Sequence, residues 1–220
     1  MIRLVGEATA ADAWARLDLG AVAAVLAGGA PTEAGACLAA DETRRFLEGY
    51  RYVDRLLGER IDLFAYGESG HLLELNHRVL VGITPERRQQ FATHLAATER
   101  RFYDGGEAGG FGELHAWYLR NAGRPARALA AGAFVQVVST PQLFVEGNQR
   151  TALLLACYLL ARGGLPPVVP RDWAGFEALA GRVVAIDRRG IAAGVALMLA
   201  GHRVGEFLAA AGDPRLLAAA

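Results

Sequence analysis

Lysine is missing altogether: all 23 basic residues are arginine. Without a lysine ammonium the chain has no Schiff-base chemistry, no P-loop lysine and no lysine of the protein-kinase type, so any phosphate it holds is held by arginine or by backbone. Cysteine is almost as scarce. Cys37 and Cys157 stand far apart, which argues against a disulfide scaffold or a thiolate metal site and suits a reducing compartment. Charge of one sign is lacking too, because 23 acidic residues balance the 23 basic ones. Nothing in the net charge therefore directs the protein to nucleic acid or a membrane surface. The longest apolar runs, 152–161 and 191–200, span about ten residues, half of the roughly 20 that a membrane-crossing helix needs. The opening MIRLVGEATAADAW has neither the charged head nor the long apolar stretch of a secretory signal. The expectation is a soluble, cytoplasmic protein with no nucleic-acid or membrane partner.

What the chain does have is apolar residues (53%) over a moderate charge content (21%), in a length sufficient to bury a core as one domain. Ala, Leu, Arg and Glu fill the stretches between glycines and prolines, and alternating β-branched patterns are nearly absent. This predicts an all-α fold. Helices are expected over residues 8–26, 32–57, 70–80, 85–102, 111–121, 125–139, 148–162, 172–179 and 186–210. Two connections are not plain turns: the glycine-rich YDGGEAGGFG (103–112), a surface loop or a mobile flap, and the stiff LPPVVP (165–170), which closes the preceding helix.

The most informative stretch is QLFVEGNQRTALLLACYLL, residues 142–160. Leu153, Leu154, Leu155, Cys157, Leu159 and Leu160 point in every direction around a helix, so this helix is expected to be buried on all sides. Its N-terminus then carries unpaired amides and the positive end of the dipole at the floor of the fold. Two readings of the preceding Glu-Gly-Asn-Gln-Arg turn stay open. In one, Asn148 caps the helix and Arg150 pairs with Glu146; in the other, the turn is open to a bound phosphate, which Arg150 contacts.

Phe144, Glu146, Gly147, Asn148 and Arg150 resemble the signature of the Fic/Doc family, His-x-Phe-x-Asp/Glu-Gly/Ala-Asn-Gly/Lys-Arg, and Thr151-Ala152-Leu153 resembles its Doc-like continuation. ARALAAGAFVQVVS and LLELNHRVLVGI are similar to the family's helices around that loop, so the likeness covers about residues 40–170 of a single domain spanning 1–220. The resemblance implies an all-α Fic/Doc-like helical domain with a central buried helix and a short β-hairpin flap that holds a target peptide. It also implies Mg²⁺ and ATP or another nucleotide donor, with transfer of AMP or another phosphate-containing group to a hydroxyl of a target protein. In those terms Glu146 holds the metal ion, Gly147, Asn148 and Gln149 with the helix amides cradle phosphate, Arg150 contacts it, and Phe144 anchors the loop in the core.

The departures from the signature are specific. Gln142 stands where the family has its histidine base, and an amide does not accept a proton from a hydroxyl at neutral pH. Leu153 replaces the second arginine of the Fic branch. Upstream, RRFLEG resembles the family's inhibitory helix, with Glu48 at its glutamate but Arg44 at its hydroxyl position; Glu48 is read either as a relic of inhibition or as one solvated charge among its neighbours. His77, His94 and His115 are expected to be structural. Three functions follow: a repurposed nucleotide- or phosphate-binding module with a target or regulatory partner, an active transferase with another donor or base, or a structural protein whose turn only starts a helix.

Overall fold

The computed structural model describes residues 13–28, 40–104 and 109–218. Among them are α1 (Leu19–Gly28), α2 (Ala40–Gly58), α3 (Gly70–Leu80), α4 (Pro85–Gln90), α5 (Ala92–Asp104), α6 (Gly110–Asn121), α7 (Ala126–Val138), α8 (Asn148–Arg162), α9 (Trp173–Val184) and α10 (Ala193–Ala211), then a short 3-10 turn, Pro214–Leu216. The fold is all-α. No strand is present among the described residues, only three isolated bridges, so the β-hairpin flap is not found there; residues 105–108 of its glycine-rich candidate lie outside them. No described helix is long and apolar enough to cross a membrane.

The centre is α8, with twelve of its fifteen residues buried. It packs against α2, α3 and α7. On α2 the buried positions Phe46, Gly49, Tyr50, Val53 and Leu57 recur at helical spacing and form the stripe that meets the core. Gly49 is required by that approach, since a Cβ there would lie 2.4 Å from Leu154 Cδ1. Leu153 has no exposure; the position of the second signature arginine is core. At the far end, Arg162 makes two 2.8 Å hydrogen bonds to Asp62, satisfying the charge where the helix leaves the interior.

Val168 of the proline-rich connection is buried, and its carbonyl accepts hydrogen bonds from Tyr50 Oη (2.6 Å) and Cys157 Sγ (3.2 Å). Burial pushes the Cys157 thiol up to about 12, so it is unionised and inert at neutral pH. Cys37 lies outside the described residues.

Several helix limits differ from expectation. The first described helix starts at Leu19, because residues before it pair with the C-terminus: Asp18 N–H donates to Leu216 O (2.8 Å) and Ala218 N–H to Arg16 O (2.9 Å). The expected start of the second helix, 32–39, lies outside the described residues. The helix expected over 85–102 is two, broken at Phe91: Arg88 binds Glu74 and the Gly82 carbonyl, holding α4 to α3, while α5 turns to bury Thr98 and Phe102. The last long helix starts at Ala193 rather than 186, since the Asp187 carboxylate accepts from Arg189 N–H (2.9 Å) and sets a turn before it. The ninth runs on to Val184, burying Ala180 and Val183.

Candidate functional site

The 139–150 segment leaves α7 and returns into α8, and its apolar members fix it. Leu143 and Phe144 are buried, with the Phe144 ring stacked on Phe102 at 5.5 Å. Polar groups from distant elements hold the backbone: Arg101 Nε and Nη2 donate to Gln142 O at 3.0 and 2.7 Å, and Arg188 reaches the carbonyls of Gln136 and Pro141. Burial lowers the pKa of Arg188, opposed by Glu113. Its guanidinium still stays charged, because an arginine begins so far above neutrality.

Gly147 is the N-cap of α8, at φ 75° and ψ 7°. A side chain at that φ is strained, and a Cβ would meet Asn76 Nδ2 and Leu80 Cδ2, each at 3.0 Å. Asn76, wholly buried on α3, donates through Nδ2 to Glu146 O (2.9 Å) and Thr151 Oγ1 (3.1 Å), clasping both sides of the turn. Asn148 does not cap the helix. Its side chain folds back, with Oδ1 accepting from Phe144 N–H (2.8 Å) and Nδ2 donating to Phe144 O (2.9 Å) and Gln142 Oε1 (3.3 Å). Among the described residues no side chain caps α8, and the amides of Asn148, Gln149 and Arg150 have no intrahelical acceptor, as first-turn amides do not.

These amides open on a cavity of about 470 Å³ whose walls include Glu42, Glu146, Gln149, Arg150, Trp173 and Glu177. Arg150 does not pair with Glu146; its Nη1 donates to Glu42 Oε1 at 3.1 Å. Arg45 adds positive charge nearby. Burial lowers its pKa and Asp41 opposes that, while Arg87 and Arg150 press on it as like charges. Glu146 is free to point outward, its side chain 67% exposed, with His94 Nε2 4.0 Å away. Among the described residues no three metal-binding side chains converge. Gln142, which stands where the resembled signature has a histidine, uses both ends of its amide: Nε2 donates to Val138 O (3.2 Å) while Oε1 accepts from Asn148.

Glu48 does not line this cavity. It pairs with Arg51 one turn along α2, is largely covered, and is neither a freely solvated charge nor a neighbour of the cavity. At about 100° per residue, Glu48 lies some 240° around α2 from Glu42, and only Glu42 turns to Arg150. His115 is structural, hydrogen-bonded to Phe64 O at 3.0 Å. His77 and His94 each have a buried Nε2 without a hydrogen-bond partner among the described residues.

No protein-family model matches the chain, and neither does any curated protein or solved structure. The site therefore rests on its own chemistry. Three carboxylates and one guanidinium line the cavity, so a bare phosphate meets more repulsion than attraction, whereas a phosphate that brings a divalent cation meets both signs. Magnesium is commonly held by one or two carboxylates plus phosphate oxygens, and a lone, outward Glu146 above free helix amides fits that donor set. Reasoning on sequence missed Glu42, Asn76, Arg101 and Arg188. None is close in sequence to the turn, and no local spacing marks them.

Proposed function

We propose that the protein binds a magnesium-complexed nucleotide, or a similar phosphate-bearing ligand, at the start of α8, as a Fic/Doc-like protein repurposed from transfer of AMP or another phosphate-containing group to protein hydroxyls. The observation that carries this reading is the uncapped start of α8 opening on a cavity that Arg150 lines. The amides of Asn148 to Arg150 would face phosphate oxygens, Arg150 would add a charge-assisted hydrogen bond, and Glu146 would hold the cation. The cation would neutralise phosphate charge and draw the ligand to the carboxylate-lined wall. Gln142 supports binding rather than proton transfer, because it braces Asn148 and has no basic nitrogen to offer. Regulation by a protein partner fits a module that binds without turning over.

Thermal unfolding with Mg²⁺ and a panel of nucleotides and nucleotide-linked donors tests it. Wild type is expected to gain about 2.7 kcal/mol at a ligand concentration 100 times the dissociation constant, and Arg150→Ala to gain much less. Omitting Mg²⁺ should remove most of the gain. Glu42→Gln, which loosens Arg150, should tighten binding. A midpoint that no donor moves, or one that Arg150→Ala raises as far as wild type, sinks the proposal.

A further inference from the structure

Glu146 belongs to two neighbourhoods. It lines the cavity at the start of α8, and beside it, outside the cavity wall, stands His94 in the first turn of α5. Asn76 of α3 holds the Glu146 carbonyl at 2.9 Å and α5 packs on α3, so the turn and the imidazole are placed from one support. His94 Nε2 lies 4.0 Å from Glu146 Oε2. That is too long for a hydrogen bond. Although the imidazole is 29% exposed, Nε2 itself is covered and has no hydrogen-bond partner among the described residues. In one tautomer it is a buried donor left unspent; in the other its lone pair faces the lone pairs of a carboxylate oxygen. Both arrangements are costly.

A divalent cation between the two atoms employs both. Its bonds to an imidazole nitrogen and a carboxylate oxygen are about 2.0 to 2.2 Å each, so the two atoms already stand slightly closer than a straight line through one metal ion. Angles of about 90 to 110°, those of octahedral and tetrahedral sites, bring the pair to about 3.0 to 3.4 Å. Glu146, with its side chain 67% exposed, is free to close that gap. We infer that His94 and Glu146 together hold the cation of this site, and that the imidazole makes it a transition cation of the iron-to-zinc series in preference to magnesium. The inference rests on the phosphate-binding reading above and changes the identity of its metal. Magnesium takes oxygen donors, whereas imidazole suits the later divalent ions, whose affinity for such sites rises along the series to copper. Among the described residues no third carboxylate, imidazole or thiol completes a metal cluster. The remaining coordination positions are left to water and phosphate oxygens, as in metal sites that a ligand completes. A cation at Glu146 stands on the wall of the cavity into which the amides of Asn148, Gln149 and Arg150 open, so metal and amides serve one phosphate-bearing ligand.

Cobalt(II) and magnesium, each titrated with ADP into the full chain, test the inference. In wild type, cobalt(II) should be half-saturating at a free-metal concentration about tenfold below that of magnesium, and nuclear magnetic resonance should show a far-shifted, exchangeable imidazole N–H proton. His94→Gln, at a partly exposed position whose nitrogen has no other use, should erase that resonance and weaken cobalt(II) binding about tenfold or more, while magnesium binding moves less than about threefold. Glu146→Gln should weaken both cations. Cobalt(II) bound in wild type without the imidazole resonance, or bound equally well by His94→Gln, overturns the assignment of His94 and leaves the phosphate site standing. Failure of ADP to bind wild type with either cation overturns the inference together with the reading beneath it.

Discussion

The helices α8 and α10 are near equals in composition and opposites in situation. Each holds one of the two longest apolar runs in the chain, 152–161 and 191–200. The fold surrounds α8 on every side and leaves the first half of α10 in the open. Apolar content all round a helix therefore reports that the helix must be covered, and says nothing of what covers it. For α8 the cover is α2, α3 and α7 of the same chain. For α10 intramolecular packing buries only Ala200, Val204 and Leu208, and Val195, Met198 and Leu199 stay exposed.

Truncating one leucine in each helix gives the largest test of that difference. Leu154→Ala removes a wholly buried side chain that lies against Gly49 and should destabilise by about 3 to 5 kcal/mol, the upper part of the usual leucine range. Leu199→Ala should cost under about 0.5 kcal/mol. Urea denaturation of both variants decides it. Equal losses would mean that α10 is covered within one chain.

Glycine sharpens the contrast at the two helix starts. Gly147 is held at positive φ against Asn76 and Leu80, so Gly147→Ala should destabilise by about 1 to 3 kcal/mol and remove ligand-dependent stabilisation as well. Gly194, in the first turn of α10, has nothing within 4 Å of an added Cβ, and Gly194→Ala should instead stabilise by about 0.4 to 1 kcal/mol. The same denaturation series reads both signs. A destabilising Gly194→Ala would place an unseen constraint at the start of α10.

How much of this was legible beforehand follows from the range of the forces. The limits of α8 were readable because its two ends are marked locally, by a glycine that permits positive φ and by Arg162 followed by two glycines. The close backbone approach at Gly147 was readable for the same reason, whereas the burial of Phe144 was expected from the resemblance, in which it anchors the loop in the core. The partner of Arg150 was not: Glu42 is 108 residues away, and the sequence offered only Glu146, four residues back, or a bound phosphate. Asn148 looked like a cap because asparagine favours that role, yet its side chain folds back to brace Phe144 and Gln142, four and six residues earlier, and that competing local use prevailed. The break at Phe91 was hidden likewise, since Arg88 chooses Glu74 and Gly82 only after α3 is in place.

The smallest expected effect concerns pH and the covered side of the molecule. His77, half-buried on α3, has its pKa lowered from 6.5, first by burial; Glu74 and Glu99 oppose that, and Arg88 and His94 reinforce it. In the native state the imidazole is thus neutral at a pH where the unfolded chain already binds a proton. Unfolding takes up that proton, so stability is full above about 6.5 and declines as pH falls from there toward the lower native value. The slope corresponds to at most one proton, and between pH 7 and 5 the carboxylates, titrating lower, contribute little. Urea midpoints for wild type should therefore fall across that interval, and His77→Gln should flatten the fall without reversing it. A variant whose midpoint falls as steeply as wild type would assign the proton to another histidine and leave burial of His77 without a thermodynamic consequence.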